Sequence, residues 1–581
     1  MSGVLTRLAG SLRRYDVVAG TSRLVALVCL IGLVGMLPWL SGKDPALTIL
    51  RATSSDREPT PEVLASIRKS IGIDGGPLHV IGHWLAGVAR GDLGRSWVSG
   101  ADVGPDAVDA FGVSLSLMAA ALGVGVVVAA ALVLPALRDG LRGRPRPRGG
   151  AASAVLISLP EYLLAPILML VLAVYLRILP PFGWGSPEKV IMPALSLGLP
   201  TGGYLGGLVS DAVTATFSER WVATWSTAGI RGRPLAGAVL RRALAPLTGQ
   251  VALVVVALTG GAVAVEKIFA IPGLGRELLD AASAQDVPAL QAQILLLLAL
   301  ALAAGVIAGA VRRLLMGRAA GAGGLTAPPP VEHPGRAARV IAVSGAALLV
   351  LMVAVGIRRD PYAVVADKLA QPSAALPLGA DSLGRDVLAR VAHGAVSTVS
   401  GAVIVTVVCF VIAILVGLAP RAATGFIEVA NAAPPILAGL IVAGVSGPSA
   451  TGAAIAVAGV GWAPLASHAA GLVAENRQRP DVLLAPVLGE GRVRITLTRV
   501  LPAVVGPLAR HAALRLPGKA LALAALGFLG LGAQSPAPEW GLVLSDALPY
   551  IERAPWAVAT PAAALVVLSI TSVAASRSMR R

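Results

Sequence analysis

Two histidines stand one helical turn apart in His79-Val80-Ile81-Gly82-His83, a spacing at which two imidazoles on one helix face can ligate a divalent metal. No third ligand stands near them, so the pair reads as the surface of a packed amphipathic helix. Lys43 in Ser41-Gly42-Lys43-Asp44 and Lys519 in Pro517-Gly518-Lys519-Ala520 follow glycine, as the lysine of a phosphate-binding loop does. Neither is followed by Ser or Thr, and the G-x-x-x-x-G-K-[ST] pattern is absent, so the sequence encodes no nucleotide cradle. Cys29 and Cys409 lie in apolar runs and make neither a disulfide framework nor a zinc motif. His468 and His511 stand alone, without the converging partners that a membrane-embedded enzyme would need. Asp211, Glu266 and Glu428 fall near the ends of apolar runs, where helix-capping or solvated roles are expected.

The elements that position these residues follow from composition. The chain has 581 residues, 56% hydrophobic and only 14% charged, against about 25% charged in an average soluble chain. Too few charges remain to cover a water-solvated surface, and the hydrophobicity excludes disorder. What is left is an all-α polytopic membrane protein. The net charge of +17 belongs to topology rather than nucleic-acid binding, because the basic residues cluster at the ends of apolar runs.

A bilayer core of about 30 Å takes around 20 helical residues. Spans are expected near 23–41, 112–136, 152–177, 190–212, 244–266 and 290–311, then near 339–357, 394–419, 425–446, 450–473, 502–526 and 556–575. The loop after the second span carries Arg138, Arg142, Arg144, Arg146 and Arg148, and that after the fourth carries Arg220, Arg231, Arg233, Arg241 and Arg242. Both loops therefore belong in the cytoplasm, and with twelve spans so do both termini. The segment 42–111, with Asp44, Asp56, Glu58, Glu62, Asp74 and Asp92, faces outward. The first span reads as an uncleaved anchor after Arg13-Arg14, since no small-residue cleavage site follows it. The organisation expected is an anchor and extracytoplasmic segment over 1–111, a first transmembrane domain over 112–316 and a linker over 317–338. A helix and extracytoplasmic segment over 339–393 and a second domain over 394–581 follow.

The halves repeat. Gly229 and Gly489 are 260 residues apart, Pro246 and Pro507 261, Gly275 and Gly532 257. Similar offsets imply a tandem duplication, and six spans per copy make the copies parallel, an arrangement that places a transport path at the repeat interface.

The chain resembles the two permease subunits of a peptide/nickel-type ABC importer fused head to tail. The first half is similar to the B-type subunit in Gly91-Asp92-Leu93-Gly94-Arg95-Ser96, Leu179-Pro180-Pro181-Phe182-Gly183, the run from Glu266 through Phe269, Pro272 and Gly273 to Gly275, and Asp286-Val287-Pro288. The second half is similar to the C-type subunit in Leu378-Gly379-Ala380-Asp381-Ser382-Leu383-Gly384-Arg385-Asp386, Leu526-Gly527-Phe528-Leu529-Gly530-Leu531-Gly532 and Pro538-Glu539-Trp540-Gly541.

The resemblance implies two type I importer domains of six helices each, and cytoplasmic loops that dock on ATPase subunits. Trp221, Val222, Thr224 and Gly229 belong to the first loop; Val482, Ala485 and Gly489 belong to the second. Trp225, Pro486, Thr224 and Leu484 depart from the family's loop pattern, and Leu523 stands where the C-type subunit often has Glu. The resemblance further implies two ATPase subunits (or one fused ATPase) holding ATP and Mg2+, an extracytoplasmic solute-binding protein, and residence in a bacterial cytoplasmic membrane. This chain itself would be non-catalytic and free of cofactor. Di- or oligopeptides lead as cargo, with nickel or a metal chelate as the alternative. A secondary transporter of another class would need charged or unwound residues at mid-membrane, which the motifs above do not supply.

Overall fold

The computed structural model describes residues 20–40, 46–47, 49–50, 58–70, 76–145, 150–316 and 336–579. Expectations resting on Arg13, Arg14, Lys43, Asp44, Asp56, Asp74, Arg146, Arg148 and linker residues 317–335 lie outside them. Among the described residues the regular elements are helices, with three isolated bridges: Arg95 to Asp102, Val364 to Arg385 and Ala380 to Asp386. Helices follow from the apolar runs, because a chain inside lipid must satisfy its own backbone donors and acceptors.

Eight helices among the described residues are long and apolar enough to cross a membrane: Val103–Leu141, Arg233–Phe269, Val287–Leu315, Ala338–Gly356, Val387–Gly417, Ala450–Arg477, Arg492–Leu529 and Pro555–Ala575. A ninth span results if Ala423–Asn431 and Pro435–Ser446, bent by 92°, count as one. The bend falls at Pro434-Pro435, two residues without an N–H to continue the ladder. Twelve were expected, and the remaining three segments are helical but different in kind. Gly20–Gly35 is shorter than a span. The segment 152–177 is divided at Ser158-Leu159-Pro160 into Gly150–Ile157 and Glu161–Leu168, the latter running on as a π-helix over Met169–Tyr175. Pro187–Phe217 is long enough, at 31 residues, but Pro193, Pro200 and its many glycines dilute its apolarity.

The chain forms two compact units, neither of which follows chain order. One comprises Met1–Gly104, Ala281–Ala292 and Gly394–Leu542. Within it the N-terminal helix lies on the second repeat. Ser22 accepts the Gly425 amide at 3.0 Å, Arg23 reaches both Glu428 oxygens at 2.7 and 2.8 Å, and Gln291 donates to the Val34 carbonyl at 2.9 Å. Pro435–Ser446 and Ala450–Gly461 form a hairpin whose second helix is capped by the Ser449 hydroxyl on the Gly452 amide, 3.0 Å.

The other unit comprises Pro105–Asp280, Gln293–His393 and Val543–Arg581. Its central seam joins Val103–Leu141 to Pro187–Phe217. Gly198, Gly202 and Gly206 recur every fourth residue there, and a Cβ on any of them would overlap Val124, Val128 or Leu132. Small residues at this period let two helices approach without a hydrophobic drive between them. The helix Arg336–Gly356 packs along Pro555–Met579 in the same unit, with Gly345 against Thr571.

Candidate functional site

The first loop helix, Arg220–Thr227, is eight residues long. Val222 anchors it in a core with Val213, Phe217, Leu235 and Val239. The Trp221 indole donates to Glu219 Oε2 at 2.6 Å, and Glu219 pairs with Arg242 at 3.1 Å. Trp225 stands edge-on to Trp221, ring centroids 5.3 Å apart, and is 38% exposed beside exposed Thr224. The amides of Ala228, Gly229 and Ile230 turn back to Thr224, Ser226 and Trp225, and Gly229 sits at φ 83°, a conformation a side chain would strain.

The second loop ends the same way by a different route. Pro480–Leu484 buries Val482, and Ala485 behind it is buried too. Pro486 has no N–H with which to continue, so the helix gives way to turns that close at Gly489, φ 82°. Arg499 stiffens the loop, reaching the Glu490 carboxylate at 3.1 and 2.5 Å and the Asp481 carbonyl at 3.1 Å. That guanidinium holds the Glu490 carboxyl below the usual range. Leu483, Leu484, Val487 and Leu488 are left exposed.

The motif residues form a second set, and most of them meet. Ser96 donates to Asp286 Oδ2 and the Trp97 amide to Asp286 Oδ1 at 3.1 Å, joining the 91–96 and 286–288 motifs. The Gly183 amide bonds the Phe269 carbonyl at 2.8 Å, joining 179–183 to the Glu266 run. Glu266 is fully buried rather than solvated. Its carboxylate accepts Ser114 Oγ at 2.5 Å and the Arg276 amide at 3.0 Å, so it caps the helix Leu274–Ala284. Gly273 and Gly275 are small because a Cβ on either would press on that carboxylate. Pro272 precedes this close approach, after Ala270 has turned the chain at φ 54°.

In the second repeat the buried carboxylate comes from Glu539. It accepts the Gly541 and Leu542 amides at 3.0 Å each and Thr398 Oγ1 at 3.3 Å, and it fills the space a Gly527 Cβ would take. Burial pushes its carboxyl up to about 7, against those hydrogen bonds. Gly530, at φ 83°, ends the helix Leu501–Leu529, and Gly532 packs on Gly527.

Asp381 is the hub of the 378–388 motif. It accepts the amides of Leu383 and Arg385 at 2.9 Å, Arg385 Nε at 2.7 Å and Arg390 Nη1 at 2.5 Å. Burial pushes its carboxyl up, but these bonds together outweigh burial and hold it below the usual range. Gly384 supplies the turn, at φ 83°, and Asp386 pairs with Arg359 at 2.7 Å.

Three features escape the sequence reading. His468 and His511 do not stand alone; their rings stack at 4.3 Å. Arg515 joins them, donating from Nε to His511 Nε2 at 3.1 Å. Arg510, Arg515 and Lys519 all lie inside an apolar run whose average hides them. His79 and His83 are both exposed on the helix Pro77–Ala89, and no group of three or more metal-ligating side chains forms among the described residues.

Membrane-length helices in two copies, each copy carrying a short exposed loop closed by a left-handed glycine, define a duplicated transport permease. Residues 150–320 and 410–579 each match the family described as binding-protein-dependent transport system inner membrane component, and the chain belongs to that family, carrying its domain twice. It is 35% identical over 202 residues to the peptide transport system permease protein SapC of Escherichia coli O6:H1, covering 33% of this chain and 67% of that protein. It is 31% identical over 262 residues to the glutathione transport system permease protein GsiC of Salmonella choleraesuis, 44% and 81% of the two chains. Identity to the metal-staphylopine import system permease protein CntB of Staphylococcus aureus is 28% over 281 residues, 48% and 89%.

Proposed function

We propose that this chain supplies both membrane-spanning halves of an ABC importer for small peptides, with ATP hydrolysed by separate subunits. The observation that supports the reading most directly is the pair of loop helices. Each is anchored by one buried valine, Val222 or Val482, and each offers apolar side chains outward. Exposed apolar side chains on a short, stiffened helix fit a partner groove better than bulk water.

In this reading both loops face the cytoplasm, as do both termini, because arginines crowd them. An extracytoplasmic binding protein delivers cargo near 42–111 and 358–393, and ATP-driven closure of the partners shifts the permease between inward- and outward-open states. The chain is passive and needs no cofactor of its own. Peptide cargo is set ahead of a metal chelate because SapC is named for peptide transport at the higher identity.

The test is copurification of the tagged chain with its ATPases, followed by ATP-dependent peptide uptake in proteoliposomes loaded with the binding protein. Deleting 219–230 or 480–490 is expected to abolish both copurification and uptake. Retention of both by either deletion would overturn the reading.

A further inference from the structure

The helix Arg492–Leu529 carries Arg510, His511, Arg515 and Lys519. The last three recur every fourth residue and so share one helix face. The expected hydrocarbon portion, 502–526, is centred near Leu514, which places all four within about 8 Å of mid-membrane at 1.5 Å per residue. Cations at that depth do not face acyl chains; they face protein or water.

The structure fixes their setting. Arg510 and Arg515 are exposed, His511 is half-buried and Lys519 is buried. Arg515 Nε donates to His511 Nε2 at 3.1 Å, so His511 is the acceptor there and carries its proton on Nδ1. His511 stacks on His468, centroids 4.3 Å apart and planes at 27°. A two-ring platform thereby orients the guanidinium. One turn on, a Cβ on Gly461 would come within 3.3 Å of Cys409 Sγ and 3.4 Å of Lys519 Cε.

The fold itself does not demand these cations. At the 257-residue offset of the Gly-Leu-Gly motifs, His511, Arg515 and Lys519 correspond to Val254, Leu258 and Ala262, and at the 261-residue offset of Pro246 and Pro507 to Gln250, Val254 and Leu258. In either register the first copy of the helix carries no cation there, and the second copy adds them.

We propose that this face of Arg492–Leu529 lines the water-filled path and takes the carboxylate of the cargo on Arg515, a planar, bidentate anchor, with buried Lys519 one turn on adding to the positive potential there. The cargo class is then a carboxylate-bearing solute, a free-acid peptide before an amidated one. The proposal rests on reading the chain as an import permease.

The experiment uses the full chain in nanodiscs, with Cys29 and Cys409 replaced by alanine and a reporter thiol introduced by Gly518→Cys, an exposed position with open space around its Cβ. Labelling by an anionic sulfonatoethyl and a cationic trimethylammonioethyl methanethiosulfonate is compared with labelling of a free thiol. The anionic reagent is expected to gain about tenfold in relative rate. Arg515→Gln with Lys519→Gln should return the ratio to that of the free thiol, while Ala513→Cys, on the opposite side of the helix, shows no preference. Trialanine should slow labelling at position 518, and trialanine amide should not. No labelling by either reagent, a ratio indifferent to the double substitution, or equal protection by the two peptides would each overturn the proposal. Labelling needs neither ATPase nor binding protein, so a failure here is distinct from a failure of ATP-dependent uptake, which would overturn the import reading.

Discussion

Ser114 donates its hydroxyl to Glu266 Oε1 at 2.5 Å, and the serine Oγ itself accepts the Leu274 amide at 2.8 Å. One side chain thus ties the helix Val103–Leu141 to the end of Thr248–Phe269 and the start of Leu274–Ala284. The second repeat uses Thr398 and Glu539 for the same purpose. Its carboxylate arrives from the loop before Trp540–Ala547, because Leu523 holds the position that matches Glu266 at the 257-residue offset. The departure noted at Leu523 is therefore accompanied by a buried carboxylate from elsewhere.

That difference makes the two hydroxyls unequal. Ser114→Ala leaves a buried carboxylate and a buried amide short of one partner each, at a cost of about 1–3 kcal/mol for each group left unsatisfied. Thr398→Val removes one longer contact from a carboxylate that retains two amides. Thermal unfolding of the purified chain should show the larger loss for Ser114→Ala; equal losses would contradict the hub role.

Glu539 predicts a pH dependence. Its folded value of about 7 lies above the ordinary glutamate value of about 4.3. Between the two the folded chain holds a proton that the unfolded chain has released, so stability is highest below this window and falls as pH rises through it. The size is on the order of 3 kcal/mol. Glu277, raised to about 7 by burial and then by Asp106, Asp280 and Asp109, adds a slope of the same sign. Glu539→Gln exchanges one acceptor for a donor and starts less stable, yet its melting temperature should decline less between about pH 5 and 8 than the parent's. Parallel declines would refute the assignment.

Most of the spans, the duplication and the loop glycines were legible in the sequence because each is a local or periodic signal. Gly229 and Gly489, matched at an offset of 260 residues, both take the left-handed conformation. What no periodicity carries is partner choice. That Arg23 pairs with Glu428, 405 residues away, or that Ser96 meets Asp286, depends on how apolar faces are distributed among helices. Averaging hid the rest: 502–526 reads as apolar although Arg510, Arg515 and Lys519 lie in it. His468 and His511, 43 residues apart on different helices, gave no sequence signal that their rings stack.

Arg390 is 1% exposed and pairs with Asp381 through Nη1, with an Asp546 carboxylate oxygen 3.6 Å from its Nη2. Asp381→Asn removes the nearer anion from two buried guanidiniums and leaves Arg390 only the more distant Asp546, a loss of up to about 3–5 kcal/mol. Arg390→Met should cost less, since Asp381 keeps Arg385 and two amides. In the double variant the penalties should fall short of additive, because the Arg390 charge that had lost its nearer anion is gone. Additive losses in melting temperature would show that the pair is not coupled.

The loops give the prediction closest to function. Gly229 and Gly489 end their turns at φ 83° and 82°, and a β-branched side chain at either position is strained there. Around both glycines the space is open, so the change disturbs loop shape and not core packing. On the proposed import reading, Gly229→Val and Gly489→Val should therefore leave the purified chain folded while weakening the docking of ATPase subunits. The two loops differ in what else holds them. The first is seated by Val222 and the paired tryptophans, the second by Arg499 bridging Glu490 and the Asp481 carbonyl. Arg499→Met should consequently loosen the second loop alone, reducing copurified ATPase and stimulated ATP turnover with little change in melting temperature. Restoring turnover by raising ATPase concentration would place the defect in docking; a loss of turnover at full ATPase occupancy would place it in transmission through the loop.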